Sequence, residues 1–348
     1  MKPGRLDSVP GGFIMPGMDQ HEKAFRAAFR QTLSSARRLV RGSLPRTASG
    51  LPQLMEFALR HHTPSGYPFV LKYAFCRRER DGARILNIAA AVHLLQQSSF
   101  LTDDIFDRGE LRYGILPVYL QYDVNRAIIA AELLQGIALR CVGEELARGG
   151  LRNGAAVFQL LNQILVEGYA GQYLDLFHSA RPSVTVREYY RMIALGAGRA
   201  FQNVARCGAL LAGKPEREVR SLGRFGYGYG MALFIIDDIV DLLPAARTGK
   251  TFAGDLKGRR MHLPLLLALR LGNRTQKQML HRFLAKSAAR RPRVEQVVAV
   301  IHETGALEAS QRIARRYLHE ALRSLKKLPQ GVTADRLRWL AGRLLPLV

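Results

Sequence analysis

Apolar residues recur along this chain at helical spacing rather than in alternation. From His21 to Arg41, the residues Phe25, Ala28, Phe29, Leu33 and Leu39 mark one face of a helix. From Leu54 onward, long apolar-rich stretches are separated by short Gly/Pro breaks near 63–68, 80–83, 108–117, 149–154, 180–183, 213–215, 244–258, 272–274 and 291–293. Runs of alternating β-branched residues are nearly absent. The pattern predicts an all-α chain of about ten or more helices. Residues 1–20 are Gly/Pro-rich and read as a disordered tail; residues 21–348 read as one large helical domain.

Composition narrows the classes. At 348 residues and 48% hydrophobic, the chain can bury a sizeable core, which excludes wholesale disorder. No uncharged run is long enough to span a bilayer, and the N-terminus lacks a signal-peptide core. Cys76, Cys141 and Cys207 are too scattered for a disulfide framework, so a reducing, cytoplasmic setting is expected. The net charge is +24. The basic residues are spread along the chain, without interleaved aromatics or any zinc-finger or RNP pattern, so nucleic acid is not the expected partner. A loose contact with an anionic membrane surface is what such a charge favours.

The chemistry is concentrated in two near-identical pentapeptides, Asp103-Asp104-Ile105-Phe106-Asp107 and Asp237-Asp238-Ile239-Val240-Asp241. Each ends an apolar helical run. On a helix, residues i and i+4 point the same way, so the first and last Asp of each motif share a face and repel. Asp is also a poor helix former. Two such clusters call for cations, and carboxylate oxygens suit Mg²⁺, which prefers to share substrate phosphates. The clusters are therefore candidates to hold Mg²⁺ around a diphosphate.

On these motifs the chain resembles the trans-isoprenyl diphosphate synthase (polyprenyl synthetase) family, in a divergent form. The resemblance runs from about residue 60 to 270. It includes Glu110-Leu111-Arg112 after the first motif, Gly171-Gln172 with Asp175 (similar to a GQxxD signature), and Gly249-Lys250, Asp255, Gly258-Arg259 and Leu263-Pro264 after the second. It implies the isoprenoid synthase fold, a single orthogonal helical bundle around a deep apolar cavity, commonly as a homodimer. It also implies metal binding by Asp103, Asp104, Asp107, Asp237, Asp238 and Asp241, with three Mg²⁺ ionising a prenyl diphosphate. Arg112, Lys250 and, in place of the usual lysine, Arg259 would grip the diphosphate.

The departures from the family carry equal weight. Family members that elongate a chain bind isopentenyl diphosphate through a GKxxR segment, a His before the first motif and an Arg after it. Here those positions read Pro64-Ser65-Gly66-Tyr67-Pro68, Gln96 and Tyr113. A diphosphate cannot be desolvated without such cations. The Lys-Thr pair of a later helix is replaced by Gly196-Ala197, with Arg199 close to the same helix face as a substitute charge. Phe234 replaces a Gln; it either packs in the core or offers a π-face to a carbocation. Ser98 and Ser99 occupy the positions that set the floor of the family's prenyl pocket, and two small residues leave depth for a C15–C25 chain. Phe100, Gln172 and Phe201 are further candidate pocket residues. His93 stands where relatives carry Glu. No catalytic base is identified.

The expected activity is thus a class I terpene synthase, cyclising a long prenyl diphosphate without an isopentenyl diphosphate site. Prenyl transfer to an aromatic or other acceptor, chain elongation, and a non-catalytic partner subunit are the alternatives.

Overall fold

In the computed structural model, the described residues are 18–45, 47–60, 70, 82–112, 114–149, 153–179, 181, 183–243, 252–285 and 291–348. The first segment of the expected tail, Pro64–Pro68, Tyr113 and Lys250 lie outside them. The helices are α1 (Met18–Ser43), α2 (Leu51–Ala58), α3 (Gly82–Asp107), α4 (Val118–Gln121), α5 (Val124–Ala147), α6 (Gly154–Ser179), α7 (Val186–Ile193), α8 (Arg199–Leu211), α9 (Glu216–Asp241), α10 (Gly254–Lys257), α11 (Leu263–Leu271), α12 (Arg274–Leu284), α13 (Val294–Glu303), α14 (Ala306–Leu325) and α15 (Val332–Gly342). No strand occurs among the described residues; an isolated antiparallel bridge joins Arg112 and Ile115.

Two helices carry the aspartate motifs, and both are central. α3 is buried nearly all round, from Ile85 through Ile88 to Leu95 and again at Leu101. A helix apolar on every face must sit inside a bundle. It is walled by α5 and α1, the latter through its buried stripe Phe25, Phe29, Leu33, Ala36 and Val40. α9 lies between α8 and α14. The α8–α9 crossing is very close: a Cβ on Gly226 would stand 2.3 Å from the Phe201 carbonyl oxygen. Any side chain there would separate the helices.

α6 completes the frame by packing on α8 and on the π-helical segment Ala194–Gly198 that links α7 to α8. A Cβ on Gly171 would meet the Gly196 nitrogen at 2.7 Å. Gly196-Ala197, where the resemblance expects Lys-Thr, thus forms part of a π-bulge pressed against α6. α7 starts at a capping box, in which Glu188 N donates to Thr185 Oγ1 (3.2 Å) and Thr185 N donates to the Glu188 carboxylate (2.8 Å). That cap fixes the helix carrying Tyr189, whose ring is fully buried.

Candidate diphosphate and metal site

The C-terminal ends of α3 and α9 and the last turns of α6 bring the acidic residues together. Arg260 spans the gap between α3 and α6, its guanidinium paired with Asp107 and with Asp175. Burial pushes the Asp103 carboxyl up to about 6, against the pull of Arg112 and Arg260. Burial and the Asp103 charge push Asp175 up to about 7. Burial also lifts Asp238 to about 8, with Asp237 and Asp175 adding repulsion. Asp175 therefore feels Asp103 on one side and acts on Asp238 on the other. Both motifs thus lie within electrostatic reach of Asp175 on α6.

Each cluster is braced differently. Arg112 Nε donates to Asp104 Oδ1 at 2.7 Å. The Arg112 guanidinium also lies 4.8 Å from the Phe100 ring centroid, a cation–π contact. Its backbone is fixed by two hydrogen bonds with Ile115, at 2.9 and 3.1 Å. In the second cluster, Asp238 Oδ2 accepts from the Tyr189 hydroxyl (2.6 Å) and from Leu263 N (2.9 Å). Asp241 accepts from Gly254 N (3.0 Å) and Asp255 N (3.2 Å), capping α10. Asp237 is the exposed carboxylate of that motif.

The six expected aspartates differ in their contacts, with Asp104 paired to Arg112 and Asp107 to Arg260. Asp238 and Asp241 are engaged in holding α7, α10 and α11 in place. Asp103, Asp107, Asp175 and Asp237 carry carboxylate oxygens not used to hold these helices in place, hard donors of the kind Mg²⁺ takes. Among the described residues, no three His, Cys, Asp or Glu side chains already converge on one metal position. The remaining ligand positions suit water and phosphate oxygens. Asp175, from the GQxxD signature, lies near these carboxylates, paired with Arg260 and within the field of Asp103.

The two arginines after the second motif are placed differently. Arg259 takes a left-handed backbone conformation, φ 57°. That turn, closed by Arg260 N donating to the Asp255 carbonyl at 2.8 Å, sends Arg260 back over the carboxylates. Two adjacent arginines cannot be told apart by composition; the turn decides.

The other candidates fall at three levels. Arg199 Nη1 pairs with Glu167 at 2.6 Å, eight residues before Asp175 on α6, about 12 Å along the axis. Its charge is taken up there and not by the aspartates. Gln172 Nε2 is buried with no partner. Ser98 is buried and Ser99 Oγ donates to the Gln96 carbonyl at 2.9 Å. Phe201 is buried with its ring 5.2 Å from Tyr229, and half-buried Phe234 packs on the core. Both read as packing residues. His93 is fully buried and meets Phe29 edge-on.

Acidic helix ends crossed by arginine in an all-helical bundle suit metal-assisted chemistry on a diphosphate, and the comparisons with known proteins give the class, a prenyltransferase on the isoprenoid synthase fold. The chain belongs to the polyprenyl synthetase family, which matches residues 67–301. It is 26% identical to the geranylfarnesyl diphosphate synthase of Aeropyrum pernix over 71% of this chain and 77% of that protein. It is 28% identical to heptaprenyl diphosphate synthase component 2 of Bacillus subtilis, over 75% and 72%. The crystal structure of a decaprenyl diphosphate synthase from Rhodobacter capsulatus superposes with a TM-score of 0.83 at 20% identity, covering 94% of this chain and 98% of that one.

These relatives overturn the expected cyclase. They are named as synthases of prenyl diphosphates, not as terpene cyclases. The expectation rested on the loss of acceptor cations, and two of the three places where they were sought, Pro64–Pro68 and Tyr113, lie outside the described residues. A count of missing family residues does not test whether other arginines of this basic chain take their place.

Proposed function

We propose that this protein is a Mg²⁺-dependent chain-elongating isoprenyl diphosphate synthase, joining an allylic prenyl diphosphate to isopentenyl diphosphate. The observation that carries the proposal is the pair of acidic clusters near Asp175, with Arg260 joining Asp107 to Asp175. Asp103, Asp107, Asp175 and Asp237 would hold the metal ions, three in the family's pattern, and Arg112, Arg260 and Lys250 would grip the diphosphate. Bound Mg²⁺ supplies Lewis-acid stabilisation of the departing diphosphate and a template for its oxygens.

This chain's residues do the rest. Arg260 leaves its two carboxylates for the phosphate oxygens, which form stronger charge-assisted bonds to a guanidinium. The Tyr189–Asp238 hydrogen bond keeps the end of α9 rigid, so that Asp237 is presented in register. The apolar wall of α3 excludes water from the allylic cation left when the C–O bond breaks. The isopentenyl double bond then attacks that cation, and loss of one proton from the adduct restores a neutral alkene. The released diphosphate is the strongest base at that point.

A homodimer is the proposed assembly. Ile128 and Ile129 of α5 and Val166, Tyr173 and Phe177 of α6 are exposed apolar residues, Val166 at 70%. Such a face favours burial against another chain. No described helix is long and apolar enough to cross a membrane; the excess of basic residues would support only a peripheral contact.

The test is incubation of the purified protein with Mg²⁺ and C10, C15 or C20 allylic diphosphates, with and without isopentenyl diphosphate. The expected result is a longer diphosphate only when both substrates are present, abolished in Asp103→Ala. A product made from the allylic substrate alone, or no consumption of isopentenyl diphosphate with any partner, would overturn the proposal.

A further inference from the structure

The positive charge of the chain is matched on some helices and left unmatched on another. On α5, Arg126, Arg140 and Arg148 each pair with a carboxylate, of Asp123, Glu144 and Glu145. α14 differs. Its inner side packs against α9, α11, α13 and α15 through buried Ala314, Leu318, Ala321 and Leu325. Its outer side carries Arg312, Arg315, Arg316, Arg323, Lys326 and Lys327, all exposed, with His319 among them. At 3.6 residues per turn these share an arc of about 120°. The last turn continues past the helix, with Lys327 N donating to the Ser324 carbonyl at 3.2 Å, so the stripe is about 22 Å long. The acidic residues of α14 are Glu308 and Glu320. Glu320 lies 3.8 Å from Arg316; Arg312, Arg315, Arg323, Lys326 and Lys327 have no acidic partner among the described residues.

The stripe also lies away from the aspartates. Ser221 Oγ of α9 donates to the Ser324 carbonyl at 2.7 Å, and a Cβ on Gly228 would stand 2.9 Å from the Tyr317 carbonyl oxygen. α9 and α14 therefore run antiparallel. Arg312 is level with Leu233, eight residues before Asp241 and about 12 Å from that acidic end, and Lys327 is level with the start of α9. A negatively charged surface against the stripe would not press on the carboxylates. At the far end of the stripe, five residues past Lys327, Val332 is 58% exposed. Unmatched cations with an apolar side chain at their margin suit the boundary between charged headgroups and acyl chains. The phosphates of a nucleic acid would use the cations and gain nothing from the valine.

We propose that the outer face of α14, from Arg312 to Lys327 with Val332 at its margin, is a peripheral docking surface for an anionic phospholipid bilayer. Because the apolar side of α14 is taken up by the core, the helix rests on the headgroups and does not insert. Each basic residue held within a Debye length of such a surface multiplies partitioning about fivefold. Docking needs no substrate, so the proposal stands apart from the synthase reading.

The test is flotation of the full chain with vesicles of phosphatidylcholine alone or with about 30% phosphatidylglycerol, at about 0.15 M salt. The chain should float with the anionic vesicles, stay behind with the neutral ones, and be released at about 0.5 M salt. The triple variant Arg315→Gln, Arg323→Gln, Lys327→Gln should lower partitioning about 10²-fold, as three fivefold factors multiply. A control triple, Arg30→Gln, Arg274→Gln, Arg282→Gln, removes the same charge from exposed positions of α1 and α12 and should lower it far less. Val332→Ser should weaken vesicle binding a few-fold while leaving the weaker binding to duplex DNA unaltered. All these side chains are exposed, so the unfolding midpoints of the variants should match the parent. Equal losses from the two triples, equal binding to neutral vesicles, or no flotation with either lipid would overturn the docking surface. So would a duplex DNA complex that depends on the stripe and outlasts vesicle binding as salt rises.

Discussion

The two aspartate motifs share the sequence Asp-Asp-Ile-x-Asp yet are held by opposite means. The first is balanced by side-chain cations, with Arg112 on Asp104 and Arg260 on Asp107. The second is tied by neutral donors, with Tyr189 and Leu263 N on Asp238 and two backbone N–H groups on Asp241. Guanidinium groups can be exchanged for metal ions and released to a phosphate. Backbone donors cannot move without unfolding α10 and α11. On the proposed reading these near-identical pentapeptides divide the work: the α3 motif presents exchangeable charge, while two of the three α9 aspartates build the wall that presents the third.

The comparison breaks most sharply by substitution. Asp103→Asn and Asp107→Asn should each lower kcat/KM by about 10³ or more, as loss of a charge-stabilising group at a reacting diphosphate does. Asp103→Asn should also leave the metal-free protein as stable as the parent or more so, because at pH 7.5 the parent keeps an ionised carboxylate where burial opposes it. Asp241→Ala should do the reverse at the level of the fold, costing about 2 kcal/mol for two lost N–H partners. Denaturant unfolding without metal, beside steady-state rates, separates the two behaviours; equal destabilisation by both substitutions would end the distinction.

Next in size is the arginine pair. Arg260→Met should reduce kcat/KM by about 10², while Arg259→Met changes it little, since only Arg260 reaches the acidic groups. Equal losses from the two variants would restore the role that the sequence assigned to Arg259.

Much of this was legible beforehand. The helical class followed from spacing, and the acidic helix ends from two repeated pentapeptides. Arg112, singled out by the resemblance, lies beside its motif in the structure as well, paired with Asp104. What stayed hidden depends on tertiary turns. The placement of Arg260 over the carboxylates follows a turn with a positive φ at Arg259. The tie between Tyr189 and Asp238 joins residues 49 apart. Reading activity from missing residues failed for a related reason: the loss of a cation at one place in the sequence is visible, but its replacement from elsewhere in the fold is not.

A pH measurement sharpens the comparison through proton linkage. Asp103, Asp175 and Asp238 titrate at about 6, 7 and 8 in the folded protein, above the unfolded value near 3.9. Between roughly pH 4 and pH 8 the folded chain binds more protons than the unfolded chain, so metal-free stability should fall as pH rises through that window. Mg²⁺ with a prenyl thiodiphosphate should offset the fall, and by more at pH 8 than at pH 6, because metal ligands must be deprotonated.

The smallest expected effect concerns the neutral ties. Tyr189→Phe removes the hydroxyl from buried Asp238 while keeping the ring, and should lower stability by about 1 kcal/mol. It should also raise the pH at which Asp238 ionises, since the lost hydrogen bond favours the carboxylate. If the α9 motif is a wall, the variant keeps its affinity for Mg²⁺ and thiodiphosphate within a few-fold, measured above the pH at which Asp238 has ionised. If Asp238 is instead a direct ligand steered by Tyr189, affinity falls with the stability, and the two motifs do the same work after all.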